Sequence, residues 1–279
     1  MVIPAGEFER DVADGERFEF GKNWQRFLSR LNENRIIEAE KSIKEKLAVE
    51  NLDGLSFLDI GCGSGLFSLA AVRLGAKSVR SFDYDPYSAA CCRELKQRYF
   101  PDKRDWSIEQ ASVLDETYLH GLGQFDIVYS WGVLHHTGQM WKAIENAADL
   151  VKTGGKLFIA IYNDQGIPSR IWRMVKKTYN KLPSSLRFLV LYPSFLFIWI
   201  PISLRDLFIG KPGKTWREYV GDRGMSPWED VIDWVGGYPF EVATPGQIFT
   251  YLHSRGFSLE GMNTTYNLGC NEFVFLRGR

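Results

Sequence analysis

Cysteine and histidine are scarce in this chain, with four of each among 279 residues. Cys62, Cys91, Cys92 and Cys270 form no CxxC pair and have no histidine near them at ligand spacing. Neither a disulfide scaffold nor a zinc site is expected, and a reducing compartment fits better. An excess of one charge is also missing. Lys and Arg total 34, as do Asp and Glu, so no global field draws the chain to nucleic acid. The first twenty residues, MVIPAGEFERDVADGERFEF, carry acids where a secretory leader needs a basic start and an apolar core. A cytoplasmic protein is the expectation. No internal repeat is visible. One apolar run, 188–204 (FLVLYPSFLFIWIPISL), lacks charge between Arg187 and Arg205. It is short for a membrane span and holds Pro193 and Pro201.

What is present alternates. Residues 18–50 place apolar side chains at helical spacing. A short apolar strand follows at 55–60, then a glycine-rich turn, then a helix at 66–74 stopped by Gly75. Strands are predicted at 78–82, 106–110, 125–131 and 156–162, with helices between them. One helix starts at Pro86 with Asp85 as its cap, and another spans 138–151 and ends at Gly154-Gly155. The pattern breaks between 163 and 243 and resumes with the capping box Thr244-Pro245-Gly246-Gln247, followed by strands near 257–264 and 272–277. Strands alternating with helices predict an α/β fold with a parallel sheet covered on both faces. The chain accordingly divides into an N-terminal helical segment (1–50), a core (51–162 and 244–279) and an insertion after the fifth strand (163–243). A second capping box, Ser226-Pro227-Trp228-Glu229, starts a helix inside that insertion.

The turn LDIGCGSGLFS is the most informative segment. Glycines at a strand-to-helix turn let a ligand approach the backbone, because no Cβ intervenes. Gly61, Gly63 and Gly65 make G-x-G-x-G; a dinucleotide turn would want its third glycine where Leu66 stands. Asp59 at the end of the strand suits a cation such as an amino group and repels a pyrophosphate. Asp83 closes the next strand and can accept both hydroxyls of a ribose.

With FLDIGCGSG, SFDYDP, ASVLDE, FDIVYSWGVLHH and VKTGGKLFIAIYN in this order, the chain resembles the class I S-adenosylmethionine-dependent methyltransferases of the methyltransferase domain group. The resemblance covers 52–162 and extends to the C-terminus through the capped helix and late strands. It implies a Rossmann-like three-layer sandwich with a seven-stranded, mostly parallel sheet and an antiparallel last strand. The implied cofactor is S-adenosyl-L-methionine, with S-adenosyl-L-homocysteine as product and no metal. Asp59, Gly61, Cys62, Gly63 and Gly65 would hold the methionine part. Asp83 would hold the ribose, with Tyr84 against the adenine and Ser112, Val113 and Leu114 along its edge. Ser130, Trp131 and Gly132 would line the pocket. The other reading of Val113 and Leu114 is plain core packing.

His136, and less so His135, stands where a base near neutral pKa could face the transferred methyl. Asp164, in the polar tetrad Tyr162-Asn163-Asp164-Gln165, is the alternative base, or a loop acid capping a turn. Trp24, Tyr162, Trp234, Tyr238 and Glu241 are the acceptor-contacting candidates, with 20–24 as a lid. Against this stand an N-terminal helix packed on the sheet, a small core of the insertion's own and a solvated Glu241. Residues 169–187 hold six basic residues and no acid. Arg170, Arg173, Lys177 and Lys181 fall on one face of that helix, and Ile171, Val175, Thr178 and Leu182 on another. Beside the apolar run, such a helix suits packing, an apolar acceptor or an anionic membrane. The resulting expectation is O-methylation of a small-molecule acceptor, with apolar, aromatic and lipid-linked acceptors all open. An N- or C-methyltransferase, an NAD-dependent oxidoreductase and a noncatalytic cofactor-binding module are the alternatives.

Overall fold

The computed structural model describes residues 6–223, 227–266 and 268–278. Three helices precede the sheet: α1 (Glu7–Ala13), α2 (Gly21–Ser29) and α3 (Glu33–Leu47). The single helical stretch expected over 18–50 is thus broken. Asn32 takes an extended backbone, and its side chain accepts from the Arg35 N–H to start α3 anew. Then come β1 (Ser56–Ile60), α4 (Leu66–Arg73), β2 (Ser78–Asp83), α5 (Pro86–Tyr99), β3 (Trp106–Gln110), α6 (Glu116–His120), β4 (Phe125–Trp131) and α7 (Met140–Asp149). Asp85 caps α5 by accepting from the Tyr87 N–H, with Pro86 at the first helical position. β5 runs Val151–Tyr162, earlier than expected. Gly154-Gly155 does not separate helix from strand but lies inside β5, where the pairing with β4 shifts register.

After β5 the chain forms α8 (Ile167–Lys181), α9 (Phe188–Phe208), α10 (Lys214–Arg223) and α11 (Pro227–Gly236). Ser226 of the second expected capping box lies outside the described residues. The chain then returns through α12 (Pro245–His253), whose full capping box is formed, to β6 (Phe257–Asn263) and β7 (Cys270–Arg277).

The seven strands lie in the order β3-β2-β1-β4-β5-β7-β6. β1 to β5 pair in parallel, and β7 inserts antiparallel between β5 and β6. One core layer, with Ile60, Val128 and Ile159, packs against α7 and α12; the other, with Phe57, Tyr129 and Phe158, packs against α3, α4 and α5. A third cluster, with Trp172, Tyr179, Leu191, Trp199, Val231, Val235 and Phe240, belongs to the segment between β5 and α12. Here the expected faces of α8 are corrected. Ile171 and Thr178 are exposed, whereas Trp172, Lys176 and Tyr179 are buried, because α9 and α11 pack on that side.

Candidate functional site

The chain reverses its strand order between β1 and β4, and ligands of open α/β sheets bind at the strand C-termini beside such a reversal. β1 carries Asp59 one residue before its end there, and the turn after it takes positive φ at Gly61, Gly63 and Gly65. Space as well as φ demands glycine. A Cβ on Gly61 would stand 2.4 Å from the Val133 methyls, and one on Gly65 would stand 2.7 Å from Cys92 Sγ.

Asp59 is 3% exposed and accepts from Ser68 Oγ at 2.5 Å. Ser68 Oγ in turn lies 2.7 Å from Ser81 Oγ, which accepts from Trp106 Nε1. Asp83 accepts from the Gly63 and Asp85 N–H groups, each at 2.9 Å. Burial pushes both carboxyls up to about 7, with hydrogen bonds opposing it in each case. Neither makes an ion pair among the described residues. Two sequestered carboxyls beside an open backbone turn, without a cation and, at Asp83, met by backbone N–H groups alone among the described residues, fit a ligand that brings an ammonium and a ribose. Cys62 lies against Cys92, and that hydrogen bond and burial drive its thiol well above the ordinary range, as suits a small packing residue.

The remaining expected cofactor residues are less uniform. The Tyr84 ring lies between Phe8, 5.6 Å away, and the Arg17 guanidinium, 4.6 Å away, while its hydroxyl donates to Asp11. Ser112 Oγ accepts from the Leu114 N–H; Val113 is buried, and Leu114 packs on the core. Ser130 is fully buried and donates to the Ile60 carbonyl, while Gly132 takes positive φ. Trp131 does not turn inward. Its indole N–H donates to Glu272 on β7, leaving the ring 44% exposed.

Past β4 a short 3-10 turn carries Leu134–His136. His136 Nδ1 lies 2.6 Å from the Pro239 carbonyl. The carbonyl can only accept, so Nδ1 carries the proton and Nε2 keeps its lone pair. Burial, then the nearby Lys176, pushes His136 down to about 3. Against the expectation of a base titrating near neutrality, His136 is held neutral throughout the physiological range. His135 is buried deeper, is driven well below its ordinary value by that burial, and accepts the Tyr162 N–H on Nδ1.

The acceptor-side candidates divide. Tyr162, Trp234 and Phe240 form one aromatic group beside the histidines, with Tyr162 ring distances of 4.0 Å to His135, 5.3 Å to Trp234 and 5.4 Å to His136. Trp24 on α2 lies over the glycine turn, its Nε1 3.0 Å from where a Cβ on Gly63 would stand. Tyr238 enters through its backbone, accepting from the Phe18 N–H. Glu241 is half-buried and accepts from the Met140 N–H at the start of α7. Asp164 accepts from the Gly166 N–H, closing the turn before α8, as its alternative reading had it.

Three residues here escaped the sequence. Lys176 is fully buried, donates to the Trp234 carbonyl and lies 4.1 Å from the Trp234 ring and 4.8 Å from Phe240. Its place one turn after Trp172 and three residues before Tyr179 was the available signal. Asp233 is held up to about 7 by burial and accepts from Asn23 of α2. Arg17 donates to the His136 carbonyl. No group of three His, Cys, Asp or Glu side chains gathers at metal-ligating distance among the described residues.

Comparison with known proteins agrees with this geometry. Residues 58–159 match the family described as methyltransferase domain. A ubiquinone biosynthesis O-methyltransferase of Methylocella silvestris is 25% identical over 239 residues, covering 80% of this chain and 81% of that protein. Its counterpart in Chelativorans sp. is 28% identical over 167 residues, covering 58% of this chain and 64% of that protein. That of Xanthomonas oryzae pv. oryzae is 35% identical over 115 residues, or 40% and 45%. The chain thus matches less than two thirds of two of these three relatives. Among solved structures, magnesium protoporphyrin IX methyltransferase of Synechocystis with bound S-adenosylhomocysteine superposes with a TM-score of 0.52 at 16% identity, covering 87% of this chain and 83% of that one. A methyltransferase of Haloferax volcanii, solved in complex with its Trm112 activator, reaches 0.52 at 13% identity over 94% and 96%. By its match over 58–159, its motifs and its sheet order, the chain carries a methyltransferase domain on the fold of the class I S-adenosylmethionine-dependent enzymes.

Proposed function

We propose that the chain transfers the methyl group of S-adenosylmethionine to a hydroxyl oxygen of an apolar, aromatic small molecule. The observation that carries the reading is His136, on the turn that follows β4, whose Nδ1 is held by the Pro239 carbonyl so that Nε2 keeps its lone pair. Ubiquinone biosynthesis O-methyltransferases among the relatives support oxygen over nitrogen or carbon. Bound in the turn, the sulfonium supplies an already activated methyl, so the protein's task is to orient the acceptor and receive its proton.

Asp59 and the Gly61–Gly65 backbone hold the ammonium end, and Asp83 holds the ribose. Tyr84, Ser112, Val113, Leu114, Ser130 and Gly132 border the nucleoside. His136 accepts the hydrogen bond of the acceptor hydroxyl. An imidazole of such low basicity favours an acidic hydroxyl, which points to a phenol over a sugar. Tyr162 and Trp234 wall the acceptor, Trp24 covers the turn, and residues 163–243 form the acceptor-recognising part of the chain.

Turnover on alkylated phenols, followed by S-adenosylhomocysteine release, should drop about a hundredfold in His136→Ala. His136→Gln, which keeps a hydrogen-bonding end, should recover part of it, and cofactor affinity should be unchanged in both. Wild-type turnover in His136→Ala, or equal transfer to primary amines, would overturn the reading.

A further inference from the structure

We propose that the outer faces of α8 and α9 dock in the plane of an anionic phospholipid surface. Leu189, Tyr192, Leu196, Ile200, Leu204 and Leu207 recur at three and four residues and form one stripe along α9, each between 48% and 60% exposed. Phe197 and Phe208 flank it at 71% and 86%. A stripe of this length on a water-facing helix is far beyond the scattered apolar residues of ordinary surfaces.

Charge identifies the occupant. α8 faces outward with Ile167, Ile171 and Met174 interleaved with Arg170, Lys177 and Lys181, and 167–187 hold no acid. Apolar side chains between cations are the pattern of a helix lying at a lipid headgroup boundary, whereas a protein-facing stripe has no need of the cations. Phe197 of α9 lies 6.3 Å from Trp172 of α8, so the basic helix and the apolar stripe adjoin.

α9 is apolar and long enough to cross a bilayer. Its other face, however, is held along its length. Leu191, Ser194, Trp199 and Asp206 are buried, Trp199 packs on Trp216 and Tyr219, and Asp206 accepts from Thr215. Crossing would strip these contacts; lying flat keeps them. The same surface leads inward. Phe197, Trp172, Trp234, Tyr162 and His136 follow one another at ring distances of 6.3, 5.4, 5.3 and 5.4 Å, one packed run of rings joining the docked face to His136, which suits an acceptor dissolved in the bilayer. This last step rests on the proposed methyl transfer; the docking itself does not.

The test is co-sedimentation of the full chain with vesicles of phosphatidylglycerol or of phosphatidylcholine alone. Binding should be found on the anionic vesicles and should weaken as salt is raised. It should fall at least tenfold in the doubly substituted Phe197→Asp, Leu204→Asp protein. Arg170→Glu with Lys177→Glu should weaken it by about fivefold or more per residue. Unchanged S-adenosylhomocysteine affinity would show that both variants remain folded. Wild-type protein left in the supernatant with anionic vesicles would overturn the proposal, as would vesicle binding indifferent to the Asp substitutions. So would a dimer in gel filtration that those substitutions dissolve while no vesicle binding is seen, since the stripe would then be covered by a second copy.

Discussion

Asp59 and Asp83 stand out as carboxyls whose burial raises them to about 7, against an ordinary value of 3.8. A carboxyl raised in the folded state contributes its stability fully below the unfolded value. That contribution is lost as pH rises through the folded value, because the unfolded chain gives up the proton first. The stability of the wild type relative to Asp59→Asn should therefore decline between about pH 4 and pH 7, at up to about 1.4 kcal/mol per pH unit. Urea unfolding of both proteins along the pH series measures this. The difference removes the opposing contributions of His135 and His136, whose lowered values cost stability on acidification. A flat difference would mean that Asp59 is ionised in the folded protein. Asp83→Ala should weaken S-adenosylhomocysteine binding by about 1.5–3 kcal/mol, since a charged acceptor of the ribose hydroxyls is lost. Undiminished affinity in calorimetry would refute the ribose assignment. These acids were legible because strand ends and a glycine turn fix their positions. The low basicity of His136 was not, since it depends first on burial and then on Lys176, 40 residues away, against the opposing hydrogen bond to the Pro239 carbonyl.

Among the elements, α9 separates two kinds of apolar residue that sequence leaves mixed. Trp199 is 5% exposed in the third core, and Phe197, two residues before it, is 71% exposed. Trp199→Ala should cost about 3–5 kcal/mol of stability. Phe197→Ala should stay within about 0.5 kcal/mol. Circular dichroism during urea unfolding distinguishes them, and equal losses would mean that α9 does not lie as described. Removing 187–205 would take Leu191 and Trp199 with it and unmake that core, so point substitutions are the cleaner probe. Helix starts with a local chemical cause, at Asp85 and Thr244, were legible in the sequence. The break before α3 and the early start of β5 were not, because helical periodicity runs through the first and glycines inside a paired strand mimic a stop in the second.

Across the whole molecule, the N-terminal segment ties the sheet to the third cluster. The Gly21 N–H donates to Asp85, Phe18 to the Tyr238 carbonyl and Arg17 to that of His136, while Trp24 covers Gly63. Cofactor bound beneath that segment should stabilise the protein by about 2.7 kcal/mol at a hundredfold excess over its Kd. Proteolysis within 14–31 should slow in parallel. A rise in Tm with unchanged cleavage there would show that the segment plays no part in binding. The succession of strands and helices, the turn and its two acids were determined by the sequence alone, since each follows from short-range periodicity and from residue types that tolerate few conformations. Only the tertiary structure decided which face of α8 is buried, that Lys176 sits among aromatic rings, that Glu241 caps α7 and that burial keeps His136 neutral. Each of those depends on residues distant in sequence meeting in a low-dielectric interior, where burial and hydrogen-bond partners outweigh local preference.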